Sequence, residues 1–124
     1  MSTVTDTAES GLTVSTDELT RLHWVGIALA AVTGILHLVL AAALVPGGLG
    51  IAFIVAGVGF LGGIAAILVD YRRQEFILLG IPFTLGQIVA WYVANAPDFS
   101  PLGIGDKVVQ AVLIVALVML YRQD

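Results

Sequence analysis

The side chains able to do chemistry are few, and those that matter most fall inside long apolar tracts. His37 stands well within the first tract, and Thr33 lies one helical turn before it on the same face. Thr84 and Gln87 follow in a later tract, and Gln110 in the last. A histidine in such surroundings can relay a proton, bind a solute or join two helices by a hydrogen bond. The simplest expectation is a neutral His37 bonded to Gln87 or to a backbone carbonyl. A relay or solute-binding role is the rival. His23 and His37 are fourteen residues apart, on nearly one face of a helix and about 21 Å apart along its axis. A bis-histidine haem would need further histidines from a second helix. The chain has only these two, so only pairing of two copies could supply them, and no cofactor is expected.

Other chemistries are excluded by what is missing. There is no cysteine, so disulfides, thiolate metal sites and Cys nucleophiles fall away. No lysine lies deep in an apolar tract, which rules out a retinal Schiff base. No acid lies there either, so a proton-coupled exporter built on a membrane carboxylate lacks its central residue. Asp98 and Asp106 read as solvated acids at the outer surface, with Lys107 reaching toward headgroups. No P-loop, catalytic triad or metal-ligand cluster is present. The expectation is a protein that is not an enzyme, with no catalytic residue and no metal.

The elements that position these residues follow from the charges. Residues 22–69, 76–97 and 108–121 contain no Asp, Glu, Lys or Arg. Runs of about 18 or more apolar residues can cross a hydrocarbon core of roughly 30 Å. Breaks at Val45-Pro46-Gly47-Gly48, at Asp70–Glu75 and at Asn95–Phe99 divide the chain into helices over about 22–44, 50–69, 76–96 and 101–121. Residues 1–14 are Ser/Thr-rich and acidic and read as a disordered cytoplasmic tail, ahead of a transmembrane domain over 15–124. Ser15-Thr16-Asp17-Glu18 matches a capping box and predicts the start of the first helix. Ser100-Pro101 reads as N-cap and first residue of the last. The short connections predict an all-α, up-down-up-down transmembrane four-helix bundle.

With four crossings, Arg21, Arg72, Arg73 and Arg122 share one side, and only Lys107 lies toward the other. The positive-inside rule then puts both termini of a multi-pass cell-membrane protein in the cytoplasm. Helices in lipid associate through close packing of small residues. Gly26, Ala30 and Gly34 form one such ridge and Gly59 and Gly63 another, so the two are expected to meet. Pro82 removes a backbone N–H and should kink the third helix.

The net charge is −4, from nine acids and five bases, one of them a lysine. Nothing is basic enough for nucleic acid. An acidic, lysine-poor chain suits concentrated salt, where like charges are screened over about 3 Å at 1 M. The runs Gly80-Ile-Pro-Phe-Thr-Leu-Gly-Gln-Ile-Val-Ala-Trp-Tyr92, Asn95-Ala-Pro-Asp-Phe-Ser-Pro-Leu-Gly103 and Leu120-Tyr-Arg122, with Gly34-Ile-Leu-His-Leu38 and Gly57-Val-Gly-Phe-Leu-Gly62, resemble a family of small, uncharacterised four-helix membrane proteins of haloarchaea. The resemblance spans residues 22–122 and implies habitat and topology, but no catalytic residue. The leading expectation is a non-enzymatic accessory subunit or homo-oligomer acting through helix contacts, with lipid and a larger membrane complex as partners. The alternative is a small transporter or channel whose path is lined by His37, Thr33 and Gln87.

Overall fold

The computed structural model describes residues 14–123. The tail expected over residues 1–14 lies outside them except for Val14, which is exposed. Four α-helices follow one another: α1 (Arg21–Leu44), α2 (Gly48–Leu68), α3 (Arg73–Asn95) and α4 (Pro101–Gln123). They hold 24, 21, 23 and 23 residues. At 1.5 Å per residue each is about 32–36 Å long, enough to cross a bilayer core. All four are apolar enough to do so. The architecture is an all-α four-helix bundle compatible with a multi-pass membrane protein. Each helix packs on its chain neighbours, and α4 closes the ring on α1. The α2–α3 seam is the thinnest. Val39, Val55 and Val93 point outward and are more than half exposed, as expected where lipid is the solvent.

The first helix starts later than the Ser15–Glu18 motif predicts. Thr20 is the N-cap, and the capping box is closed by His23, whose Nδ1 accepts from the Thr20 N–H at 3.0 Å. Ser15 is occupied elsewhere: its N–H donates to the Leu68 carbonyl at 2.6 Å, docking the segment before α1 on the end of α2. Arg73 fastens this junction. Its guanidinium donates to Ile67 O at 2.9 and 2.7 Å and to Ser15 O at 2.8 Å, and it pairs with Glu18 and Asp70 at 3.4 Å. Arg21, Arg72 and Arg122 are exposed at the same end. Ser100 caps α4 through its Oγ, which accepts from Gly103 N–H at 3.0 Å. The α3 helix continues unbroken through Pro82. The ring's lack of an N–H leaves the Leu78 carbonyl without its partner one turn on.

The two small-residue ridges do not meet as expected. The tight α1–α2 crossing is at Gly34 and Gly57. A Cβ on Gly57 would lie 2.6 Å from Leu38 Cγ and 2.9 Å from Gly34 O, and one on Gly34 would lie 3.1 Å from Phe60 Cβ. Gly59 faces away from α1 and takes the Phe83 ring of α3, which a Cβ would meet at 2.5 Å. Gly26 faces Leu120 of α4, Ala30 packs at the edge of the core, and Gly63 borders open space. The glycines on α2 thus serve two different neighbours, because residues 57 and 59 lie about 200° apart around a helix of 3.6 residues per turn.

Candidate functional site

On α4, Asp106, Gln110, Leu113, Leu117 and Leu120 form one buried stripe at spacings of four and three residues. On α1, Gly26, Thr33, His37 and Ala41 form another, at spacings of seven and four. The two stripes face each other, so the polar members meet. The Thr33 hydroxyl donates to Asp106 Oδ1 at 2.7 Å and accepts from Gln110 Nε2 at 3.0 Å. Lys107 Nζ reaches Asp106 Oδ2 at 2.7 Å, with side-chain exposures of 11% and 5% for the two residues. Adjacent residues on a helix do not face each other. The lysine stem therefore folds back, and its ammonium also lies 5.8 Å from the Trp91 ring centroid. Donation runs from amide to hydroxyl to carboxylate on one side and from ammonium to carboxylate on the other.

This corrects the expectation for Asp106. It is not a solvated surface acid but a carboxylate buried against Thr33, the thirteenth of the 24 residues of α1. Burying an ion pair away from water is costly unless each charge is well bonded. Here the carboxylate has a hydroxyl and an ammonium. The signal was present in the sequence: Gln110 and Asp106 continue the Leu113–Leu117–Leu120 spacing one and two turns earlier.

His37 does not bond to Gln87. Its Nδ1 lies 2.7 Å from the Thr33 carbonyl, which can only accept, so Nδ1 carries the proton. The ring tilts against Phe53 at 5.0 Å and Phe60 at 6.0 Å, both from α2. Nε2 bonds to none of the described residues. His37 and Gln87 do share a cavity of about 320 Å³, together with Asp106, Lys107, Trp91 and Asn95. This cavity, outer in the sense of the charge-based expectation, lies at the end of the bundle that carries the α1–α2 and α3–α4 connections.

A second, inner cavity of about 430 Å³ occupies the other end. It is lined by all four helices and almost wholly by apolar groups, with Phe60, Gly63 and Leu117 among them and His23 on its wall. Between the cavities lies a layer in which Thr33, Thr84 and Gln110 are each 0% exposed, with Thr84 also on the wall of the inner cavity. Thr84 Oγ1 and Gln110 Oε1 are buried there without a hydrogen-bond partner. Of the residues the sequence singles out, Thr33 and His37 are brought together directly, Gln87 faces the same outer cavity, and Thr84 stands in the dividing layer. Asp106, Lys107 and Gln110 complete the site. Among the described residues there is no cluster of three or more His, Cys, Asp or Glu that could hold a metal ion.

No curated protein and no solved structure gives a significant match to the chain. The sequence profile of DUF7475, a family of unknown function, matches residues 7–121. The four-helix bundle with its buried Asp106–Lys107 pair is therefore a member of the DUF7475 family.

Proposed function

We propose that this protein is a small multi-pass membrane protein that binds a small solute in its outer cavity and passes it across the bilayer, without catalysing a reaction. One observation carries the reading: a cavity of about 320 Å³ between the helices has Asp106, Lys107 and His37 in its lining. Intramembrane ionisable groups are costly and mark solute or ion paths. A scaffold alone does not call for a cavity lined in part by His37, Gln87, Asp106 and Lys107. His37, Thr33 and Gln87 serve the path, joined by Asp106 and Lys107.

The charge distribution supports a cell-membrane location with both termini cytoplasmic. Arg21, Arg72, Arg73 and Arg122 gather at one end, and Lys107, at the other, is withdrawn into the bundle. The acidic, lysine-poor composition supports a haloarchaeal, salt-rich setting.

The test is protein-dependent permeability in proteoliposomes, measured against empty liposomes for water, glycerol, urea, potassium and chloride. Gln87→Ala and His37→Ala should change that permeability while the protein keeps its helicity and elution volume. Wild-type vesicles no more permeable than empty ones to any of these solutes would remove the reading.

A second reading, an accessory subunit or homo-oligomer, is supported by Gly62, where an added Cβ would meet nothing within 4 Å. That leaves a place on α2 where another helix could approach closely. Mild-detergent pull-down with mass spectrometry tests it, since loss of a captured partner in Gly62→Leu with permeability unchanged would favour this role.

A further inference from the structure

We infer that the layer of Thr33, Thr84 and Gln110 is the gate of a path joining the two cavities, and that the path suits small uncharged solutes bearing hydroxyl or amide groups. The inference rests on the translocation reading and adds to it the place of the barrier and the class of solute.

The placement comes from the lining residues. The outer cavity uses the second half of α1, the first of α2, the second of α3 and the first of α4. The inner cavity uses the complementary halves. The two spaces therefore occupy opposite halves of the bundle. Only the middle of the helices separates them, and there the rings of His37 from the outer cavity and Phe60 from the inner one are 6.0 Å apart.

The dividing layer is built unlike a sealed core. On α2 it has the small Ala56 and Gly57, both buried, beside the buried Phe60 ring. Its other members are polar, and two of their polar atoms, Thr84 Oγ1 and Gln110 Oε1, have no partner. Nearly all buried polar atoms in folded proteins are bonded, and an orphaned one is destabilising. The closed layer thus leaves a hydroxyl and an amide oxygen unsatisfied. A water or a solute hydroxyl or amide entering from either cavity supplies the partner that the nearer of these atoms lacks, which favours opening when such a molecule is present.

The solute class follows from charge and surroundings. Asp106 and Lys107 neutralise each other at 2.7 Å, so the path offers no net charge to an ion. Beyond the gate an ion would enter an apolar cavity and lose its hydration without replacement. A small neutral molecule with a donor and an acceptor meets a much lower barrier.

Stopped-flow light scattering on proteoliposomes tests this with glycerol and urea as probes, and a potassium-flux assay runs in parallel. Wild-type protein should raise glycerol or urea permeability above that of empty vesicles and leave potassium flux at background. Thr84→Val removes an unpartnered hydroxyl without changing shape. It should raise the thermal midpoint yet lower permeability by about tenfold, the effect of one lost hydrogen bond at the barrier. Gly63→Leu fills the inner cavity from a position where an added Cβ meets nothing within 4 Å, and it should block flux with the layer intact. Glycerol or urea flux unchanged in both variants overturns the gate. Potassium or chloride flux without glycerol or urea flux overturns the solute class but leaves translocation standing. No flux of any solute overturns both.

Discussion

At the residue scale the central fact is that Asp106 and Lys107 are held as a pair inside the bundle. Breaking a buried pair is far more damaging than replacing it, because the surviving charge is left unpaired. Lys107→Met should lower stability by about 3–5 kcal/mol, whereas Asp106→Leu combined with Lys107→Met should recover most of that loss. Thermal unfolding in detergent of the two singles and the double measures the coupling. Additive losses would show that the two side chains do not depend on each other. Thr33→Val removes both the donor to Asp106 and the acceptor for Gln110. It should cost about 1–3 kcal/mol in the same measurement.

The elements are held by contacts that depend on single atoms. The α1–α2 crossing brings Leu38 and the Gly34 carbonyl so near Gly57 that an added Cβ cannot fit without a shift. Gly57→Val should therefore destabilise by about 1–3 kcal/mol through overpacking. Gly63→Ala, facing open space, should be close to neutral or mildly stabilising; equal losses at both positions would contradict the crossing described. At the end of the bundle that carries the α2–α3 connection, Arg73 satisfies the Ile67 and Ser15 carbonyls with a planar fork. A lysine has only one nitrogen to offer. Arg73→Lys should free the segment before α1, and faster amide exchange at Ser15 than in the wild type is the readout.

For the whole molecule, the absence of cysteine makes topology directly measurable. In intact cells a membrane-impermeant maleimide should label Asp98→Cys, in the α3–α4 connection, and spare Glu75→Cys, at the start of α3. The reverse pattern would invert the proposed orientation. Both positions are exposed, so labelling reports side and not burial.

The number of helices long and apolar enough to cross a membrane was legible in the sequence, because a charge inside an apolar run of 20 residues is costly wherever the run sits. Helix bounds came out within about three residues, since Pro46, Gly47, Pro97 and Pro101 act locally. Thr33 and His37 were also legible, as polar residues surrounded by apolar ones. The capping box was misplaced because Ser15-Thr16-Asp17-Glu18 carries a local signal that a distant bond, Ser15 N–H to Leu68 O, overrides. Asp106 was misread because its position near the start of a helix says nothing of depth. Depth is set by which part of α1 it faces, and that depends on how four helices are staggered against one another. The choice between Gly57 and Gly59 as the partner of α1 is of the same kind. Local chemistry and hydropathy, which act within one helix, are written in the chain. Which faces meet, and what space is left between them, is decided only when all four helices pack at once.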